Sequence, residues 1–343
     1  TPSAVPARGL RVDDLLVVAP DPLSRRQLMD QLAAASRQRR GLERRCLERL
    51  QRSEAVYWSA MGLAQLTGPL APLLQQVRQG CLSLEPAGGR LASGLDLTGE
   101  ASATAGVLGD PAASTSPSPG PGLPPAGVLL ELSGPNLAPL FNTLLARQLI
   151  REPLAARYGL GPSQLKLLTS VPFRLRLRPV ARGPFQAGLD LQFAVGRRRE
   201  PWAALLRDLR QGLLDQDLQE GPAQLTSSAP GSAVRSQTLP AARFSRDDGT
   251  VVGGWRWQSQ AGGDPQLLLF LGPMPESPAA PVVASSRQPL SLNLLPSALE
   301  SLGLMPSALP QLVRQATQLQ LNVSPGDQPL NQLSGRLRLP LVR

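Results

Sequence analysis

The chain has 343 residues, enough to bury a large core and to form about two domains, and an aromatic content of 3 % leaves that core chiefly to Leu, Val and Ala. Thirty-five basic residues against 25 acidic ones give a net charge of +10, nearly all of it arginine because Lys166 is the only lysine; this reads as coding bias more than as selection at a site, although an anionic partner stays allowed. Histidine is absent, which removes the commonest general base and the commonest zinc ligand.

Residues 1–12, opening Thr1-Pro2-Ser3-Ala4 without methionine, read as a tether, and a membrane anchor or signal upstream of them is an expectation. A first α+β unit is expected over 13–98. Its apolar run Leu15-Leu16-Val17-Val18-Ala19 reads as a buried strand, and Asp21-Pro22-Leu23-Ser24 opens a long helix reaching about Arg52. Leu28, Leu32, Ala35, Leu42, Cys46 and Leu50 lie near one face of that helix. The other face carries Arg25, Arg26, Arg37, Arg39, Arg40, Arg44, Arg45, Arg49 and Arg52 against Asp30, Glu43 and Glu48, and nine minus three leaves +6. Such a face is usually solvated; the alternative is an anionic surface, for which Arg37, Arg40 and Arg44 are candidate contacts, with nucleic acid disfavoured by the lack of stacking aromatics. A strand at 56–61, a helix at 66–77 and a hairpin of 81–84 with 94–97 complete the unit. Cys46 and Cys81 read as two small buried thiols, with a disulfide between them as the alternative.

Residues 99–127 are rich in Ala, Ser, Thr, Gly and Pro and read as a linker or long loop. A second α+β region is expected over 128–343, with weaker breaks at 219–233 and 273–287. Within 128–196 the order is a strand at 128–132, a helix entered through Pro135 and Leu137, a helix start at Gly161-Pro162-Ser163, and a hairpin of 173–177 with 188–193. Period-two alternation puts Arg174, Arg176 and Arg178 on one strand face, which reads as the solvent side of a half-buried sheet, with a basic surface for lipid headgroups or nucleic acid as the alternative. A helix from Glu200-Pro201 to about Leu218 turns Trp202, Leu205, Leu206, Leu209 and Leu213 inward, and a β-meander at 240–272 turns through Asp247-Asp248-Gly249. Trp255 and Trp257 share a face of it, more often a core pair than a ligand platform.

The last stretch, 289–339, repeats the plan: a strand at 291–294, a helix starting at Pro296-Ser297 with the serine as cap, a second start at Pro306-Ser307 leading to Leu309, Leu312, Val313 and Ala316, then strands at 319–323 and 333–339. Gly-Leu-x-Pro-Ser-x-Leu occurs at 159–165 and 303–309, and Gly-Leu-Asp-Leu at 94–97 and 188–191. The expected fold is therefore α+β: repeated strand–helix–β-hairpin units forming a mainly antiparallel sheet packed by helices.

Enzyme signatures are sparse. No Walker lysine, no Gly-x-Gly-x-x-Gly after a strand and no Gly-x-Ser-x-Gly occurs, and no catalytic residue, cofactor or metal site is expected. Ser163-Gln164-Leu165-Lys166 matches Ser-x-x-Lys, but one lysine cannot also supply Lys-Thr-Gly, and Ser163 reads as a helix cap. Asp96 and Asp190 are expected to face outward by alternation.

The opening strand with Asp21-Pro22-Leu23 and its Arg-rich helix, together with Leu302-Gly303-Leu304, Leu309-Pro310 and Leu333-Ser334-Gly335-Arg336-Leu337, resembles a cyanobacterial family of envelope-associated proteins of unknown function. The resemblance implies an N-terminal membrane anchor before a repetitive α/β region and carries over no active site. The expectation is a non-enzymatic binding or scaffolding protein of the cell envelope or a periplasm-like compartment, its partner an anionic membrane surface or another envelope protein and not sequence-specific nucleic acid. The alternatives are a lipid or hydrophobic-ligand carrier and, last, a Ser163/Lys166 hydrolase.

Overall fold

The computed structural model describes residues 9–12, 15–19, 21–37, 42–59, 77–87, 94–103, 127–138, 148–180, 184–197, 199–222, 241–258, 264–275, 281–282, 289–306, 309–325 and 330–340. In chain order the elements of the first half are β1 (Gly9–Val12), β2 (Leu15–Val18), α1 (Pro22–Arg37), α2 (Leu42–Leu50), β3 (Ala55–Trp58), β4 (Val77–Pro86), β5 (Gly94–Ala103), β6 (Leu130–Gly134), α3 (Gln148–Tyr158), α4 (Pro162–Thr169), β7 (Phe173–Pro179) and β8 (Ala187–Ala194). Then follow α5 (Glu200–Leu214), β9 (Gln219–Pro222), β10 (Ala241–Ser245), β11 (Val251–Gln258), β12 (Gln266–Leu271), β13 (Leu290–Leu294), α6 (Pro296–Ser301), α7 (Gln311–Gln315), β14 (Gln318–Pro325) and β15 (Leu330–Arg338). The fold is α+β, and the strand registers are antiparallel.

Two compact units divide these elements: Thr1–Leu123 with Pro289–Arg343, and Pro124–Gln288. In the first unit the strand order is β3-β4-β5-β15-β14-β13, and β1 pairs with β2 as a separate hairpin. Residues 9–12, read from sequence as tether, are thus a strand whose Gly9 lies opposite Val18. Sequence reading assigned 289–339 to the second region; in the structure β15 pairs with β5 over nine residue pairs from Leu330↔Ser102 to Arg338↔Gly94, which places that stretch with the N-terminal strands. Pairing with β15 to Ser102 and with β4 to Ala103 carries β5 into the stretch read as linker, because partners with matched alternation extend a strand that composition alone would end.

Period-two alternation sorts the side chains of this sheet. On β15, Leu333 and Leu337 are buried while Gln332, Ser334, Arg336 and Arg338 are exposed. Leu337 meets Leu97 and Ala316, with Leu82, Leu84, Leu95, Leu319 and Leu339 around them. A second, smaller cluster joins α2 to the sheet: Leu42, Cys46 and Cys81, with Leu50, Tyr57 and Leu330 packed against it. Cys46 and Cys81 form a disulfide, so the reading of two free thiols is corrected. Spacing along the chain carries no information on which residues meet across a sheet, and here a helix face and a strand face bring the two Cα atoms to 5.5 Å.

The helix expected to run to about Arg52 is described as α1 and α2. Asp21 starts α1: its carboxylate accepts the Ser24 backbone N–H at 2.8 Å and the Ser24 hydroxyl at 2.7 Å, with Pro22 in the first turn. Both hydrogen bonds favour the ionised form and hold the Asp21 carboxyl below the usual aspartate range. Two other expected caps are absent. The N-cap positions of α4 and α6 are Gly161 and Leu295, neither helix has a side-chain cap, and so Ser163 and Ser297 are not caps. The proline in the first turn of each helix removes one donor that a cap would have served. Of the helix expected at 66–77, residues 66–76 lie outside the described residues, and Val77 begins β4. Leu312, expected on an apolar face, is 44 % exposed on the short α7.

In the second unit the order is β6-β7-β8-β12-β11-β10-β9. The meander falls where alternation and the Asp-Gly turn put it; Gly249 has φ +79 and Asp248 accepts the Thr250 N–H at 2.8 Å. β9 occupies the start of a stretch read as a break. Helix α5 buries Trp202, Leu205 and Leu206, and the Trp202 ring lies 5.2 Å from that of Phe193 on β8. Trp255 and Trp257 are both buried, Trp255 against Phe244 and Trp257 beneath the Arg199 guanidinium, so the pair belongs to the core.

Candidate functional site

One face of the second unit's sheet is apolar and meets α5; the opposite face carries a buried layer of charged and amide side chains. Its positions follow from alternation and register. On β7 the sequence Phe-Arg-Leu-Arg-Leu-Arg turns Phe173, Leu175 and Leu177 one way and Arg174, Arg176 and Arg178 the other. Register sets Arg176 opposite Glu131 on β6 and opposite Asp190 on β8, and Arg174 opposite Ser133 and Gln192. From β8 the same face continues through Gln266, Leu268 and Phe270 on β12 to Arg256 and Gln258 on β11.

The charges are matched locally. Arg176 donates to Glu131 at 2.6 Å, and Arg174 lies 3.6 Å from the other oxygen of the same carboxylate. Arg178 grips Asp190 with two parallel hydrogen bonds of 2.6 and 2.8 Å and donates a third to the Pro273 carbonyl at 2.9 Å. With its amide oxygen turned toward Arg256, Gln258 accepts from that guanidinium at 3.2 and 3.1 Å. Gln192 donates to Gln266, whose own amide exchanges two 2.9 Å hydrogen bonds with the backbone of Val282, as a neighbouring strand would.

Desolvation is the dominant physical fact here. Burial pulls the Arg256 guanidinium below the usual arginine range, with Asp190 opposing the shift and Arg178 adding to it; burial does the same to Arg174, with Glu131 opposing and Arg176 adding. Asp190, expected to face outward, is 5 % exposed: alternation correctly gives its face, and that face is covered. Its counterpart Asp96, in the same Gly-Leu-Asp-Leu tetrapeptide, does stay half exposed, with its oxygen 2.8 Å from Arg336. The layer offers carboxylates, guanidiniums and amides already bonded to one another. Such an arrangement pins strands and positions an overlying chain segment.

The six arginines proposed from sequence as anionic-surface contacts have separate fates. Arg174, Arg176 and Arg178 sit together in this layer. Arg44 pairs with Glu48 one turn along α2 at 2.9 Å. The side chain of Arg37 and the whole of Arg40 lie outside the described residues. Sequence reasoning missed Glu131, Gln192, Arg256 and Gln266; Glu131, Gln192 and Arg256 each stand between two apolar residues of their strands, and that alternation was the available signal. It also missed Glu100, which receives Arg45 at 3.3 Å and Arg49 at 3.2 Å.

The Ser163 hydroxyl donates to Gln164 at 2.8 Å, Gln164 donates to Asp208 at 3.0 Å, and Lys166 is exposed in the last turn of α4. Among the described residues no three His, Cys, Asp or Glu side chains cluster to hold a metal ion, and no helix is long and apolar enough to cross a membrane. Comparison with family models, with curated proteins and with solved structures finds no match to this chain.

Proposed function

We propose that the protein is a non-enzymatic binding or scaffolding component of an oxidising, envelope-type compartment, assembled from three strand–helix–hairpin units. The observation that carries the compartment is the Cys46–Cys81 disulfide, whose residues are both 0 % exposed. A fully buried disulfide that ties a helix to a strand is a structural bond, and such bonds persist where thiols are not kept reduced. The binding or scaffolding reading draws on the polar layer, in which Arg178 and Gln266 hold backbone groups of Pro273 and Val282. The repeat reading is supported by three runs of neighbouring strands, β3-β4-β5, β6-β7-β8 and β13-β14-β15, each with an antiparallel pair after a first strand. The resemblance of the two ends to envelope-associated proteins agrees with this reading.

The test of the compartment uses protein isolated from its native cells, alkylated at once in denaturant and measured by intact mass without reductant. No alkylation at Cys46 and Cys81 is expected; labelling of both removes the envelope reading. For the partner, we propose an anionic membrane surface met by the basic face of α1 and α2. Flotation with vesicles containing phosphatidylglycerol should show binding at low salt that weakens at high salt, and absence of binding at both removes the membrane as partner. A fluorogenic acyl probe that labels Ser163 would instead favour the hydrolase.

A further inference from the structure

The attachment of α2 to its sheet is an island. It consists of Leu42, Cys46 and Leu50 from the helix against Cys81, Tyr57 and Leu330 from the strands, apart from the larger cluster around Leu97, Ala316 and Leu337. Cys81 lies opposite Glu100, so the face α2 covers is the one that turns Asp96 and Glu100 outward, and it offers little other apolar surface. The ion pairs that help converge on a single acid: Arg45 and Arg49 both reach Glu100, with side chains 50 % and 32 % exposed, a geometry that salt screens. Helix α2 has nine residues, too few to hold its shape alone, and α1 packs against α2.

We propose that thiol oxidation licenses the docking of the α1–α2 helices: before the Cys46–Cys81 bond forms, the strands fold and the basic helices stay off the sheet. The reaction is a two-electron exchange. A thiolate of Cys46 or Cys81 attacks a disulfide-bearing oxidant, the other cysteine displaces the resulting mixed disulfide, and the oxidant leaves as two thiols holding the two protons and two electrons lost from the cysteines. Cross-linking two residues 35 apart in sequence shifts the docking equilibrium by a factor on the order of 100 to 1,000. The compartment proposed above provides such oxidants, but the inference concerns the purified chain and stands apart from that reading.

The test is hydrogen exchange read by mass spectrometry on the oxidised chain and on the C46A/C81A variant. Amides of α1 and α2 should exchange about 100-fold or more faster in the variant, while those of β13, β14 and β15 keep their protection to within about threefold. Unchanged α2 protection overturns the proposal, and so does loss of protection throughout the sheets, which would make the bond a global requirement. A second arm refolds the reduced wild-type chain and then adds oxidised glutathione: recovery of α2 protection in step with loss of free thiol is expected, and oxidation without recovered protection overturns the proposal. Free thiols in native material would remove the compartment reading and leave both arms intact.

Discussion

Replacing Asp190 by Asn changes one charge and almost no volume, and it should be among the most damaging single substitutions in the second unit. Asp190 is 5 % exposed and accepts two hydrogen bonds from Arg178 at 2.6 and 2.8 Å, while Arg256, 3 % exposed, is also attracted to it. At about 4 Å between charge centres and an effective dielectric near 20, one such pair is worth about 4 kcal/mol. The amide leaves Arg178 without its counter-charge on a face it shares with Arg174, Arg176 and Arg256, so D190N should cost about 3–5 kcal/mol. Urea unfolding followed by tryptophan emission is a suitable assay, since Trp202, Trp255 and Trp257 all lie in this unit. The expected result is a lower midpoint at unchanged slope. The double variant R178M/D190L, which removes both charges and fills the space with apolar atoms, should recover most of the loss. A cost below about 1 kcal/mol for D190N, or no recovery in the double variant, would refute the claim that desolvation dominates this layer.

Three further outcomes follow from other parts of the chain. R336A, which breaks the half-exposed pair with Asp96, should change stability by less than about 1 kcal/mol in the same assay, although the aspartate sits in the same tetrapeptide as Asp190. G335A should cost about 1–3 kcal/mol in thermal unfolding, because a Cβ there would collide with the Gln320 backbone carbonyl on β14 and the strands would have to separate. Asp21 makes the start of α1 pH-sensitive: its carboxyl is held below the ordinary range, so its contribution is complete above about pH 4 and is lost as pH falls through the folded value. First-turn amides of α1 should therefore lose exchange protection on acidification, and D21A should abolish that pH dependence.

Local features were legible from sequence and cross-strand ones were not. The Asp-Gly turn, the alternation of β7 and the apolar face of α5 each depend on residues within a few positions of one another; the structure has the first two in place and buries Trp202, Leu205 and Leu206 of the third, with Leu209 and Leu213 half-buried and the helix ending at Leu214. Alternation told which side Asp190 takes but not that the backbones of Pro273 and Val282 hydrogen-bond with that face. The caps at Ser163 and Ser297 failed because the first-turn prolines already account for part of the donor need. Cys46 and Cys81 pair because α2 folds back over β4, a long-range event invisible to spacing. The arginines were found and their acids were not, since Glu131 and Glu100 acquire meaning only once β6 lies beside β7 and α2 lies across β5.

The pairing of β5 with β15 also sets an order of events during synthesis. The first unit is interrupted in the chain by the second, so β5 is made long before its neighbour, and every residue of Pro124–Gln288 emerges in between. Until β15 arrives, the edge of β5 that will receive it has no partner of its own, and such an edge is a template for joining other chains. A chain halted before Pro289 would contain all the strands of the second unit yet leave that edge open. Truncation at the C-terminus should thus be felt as aggregation through the N-terminal strands, far in sequence from the residues removed.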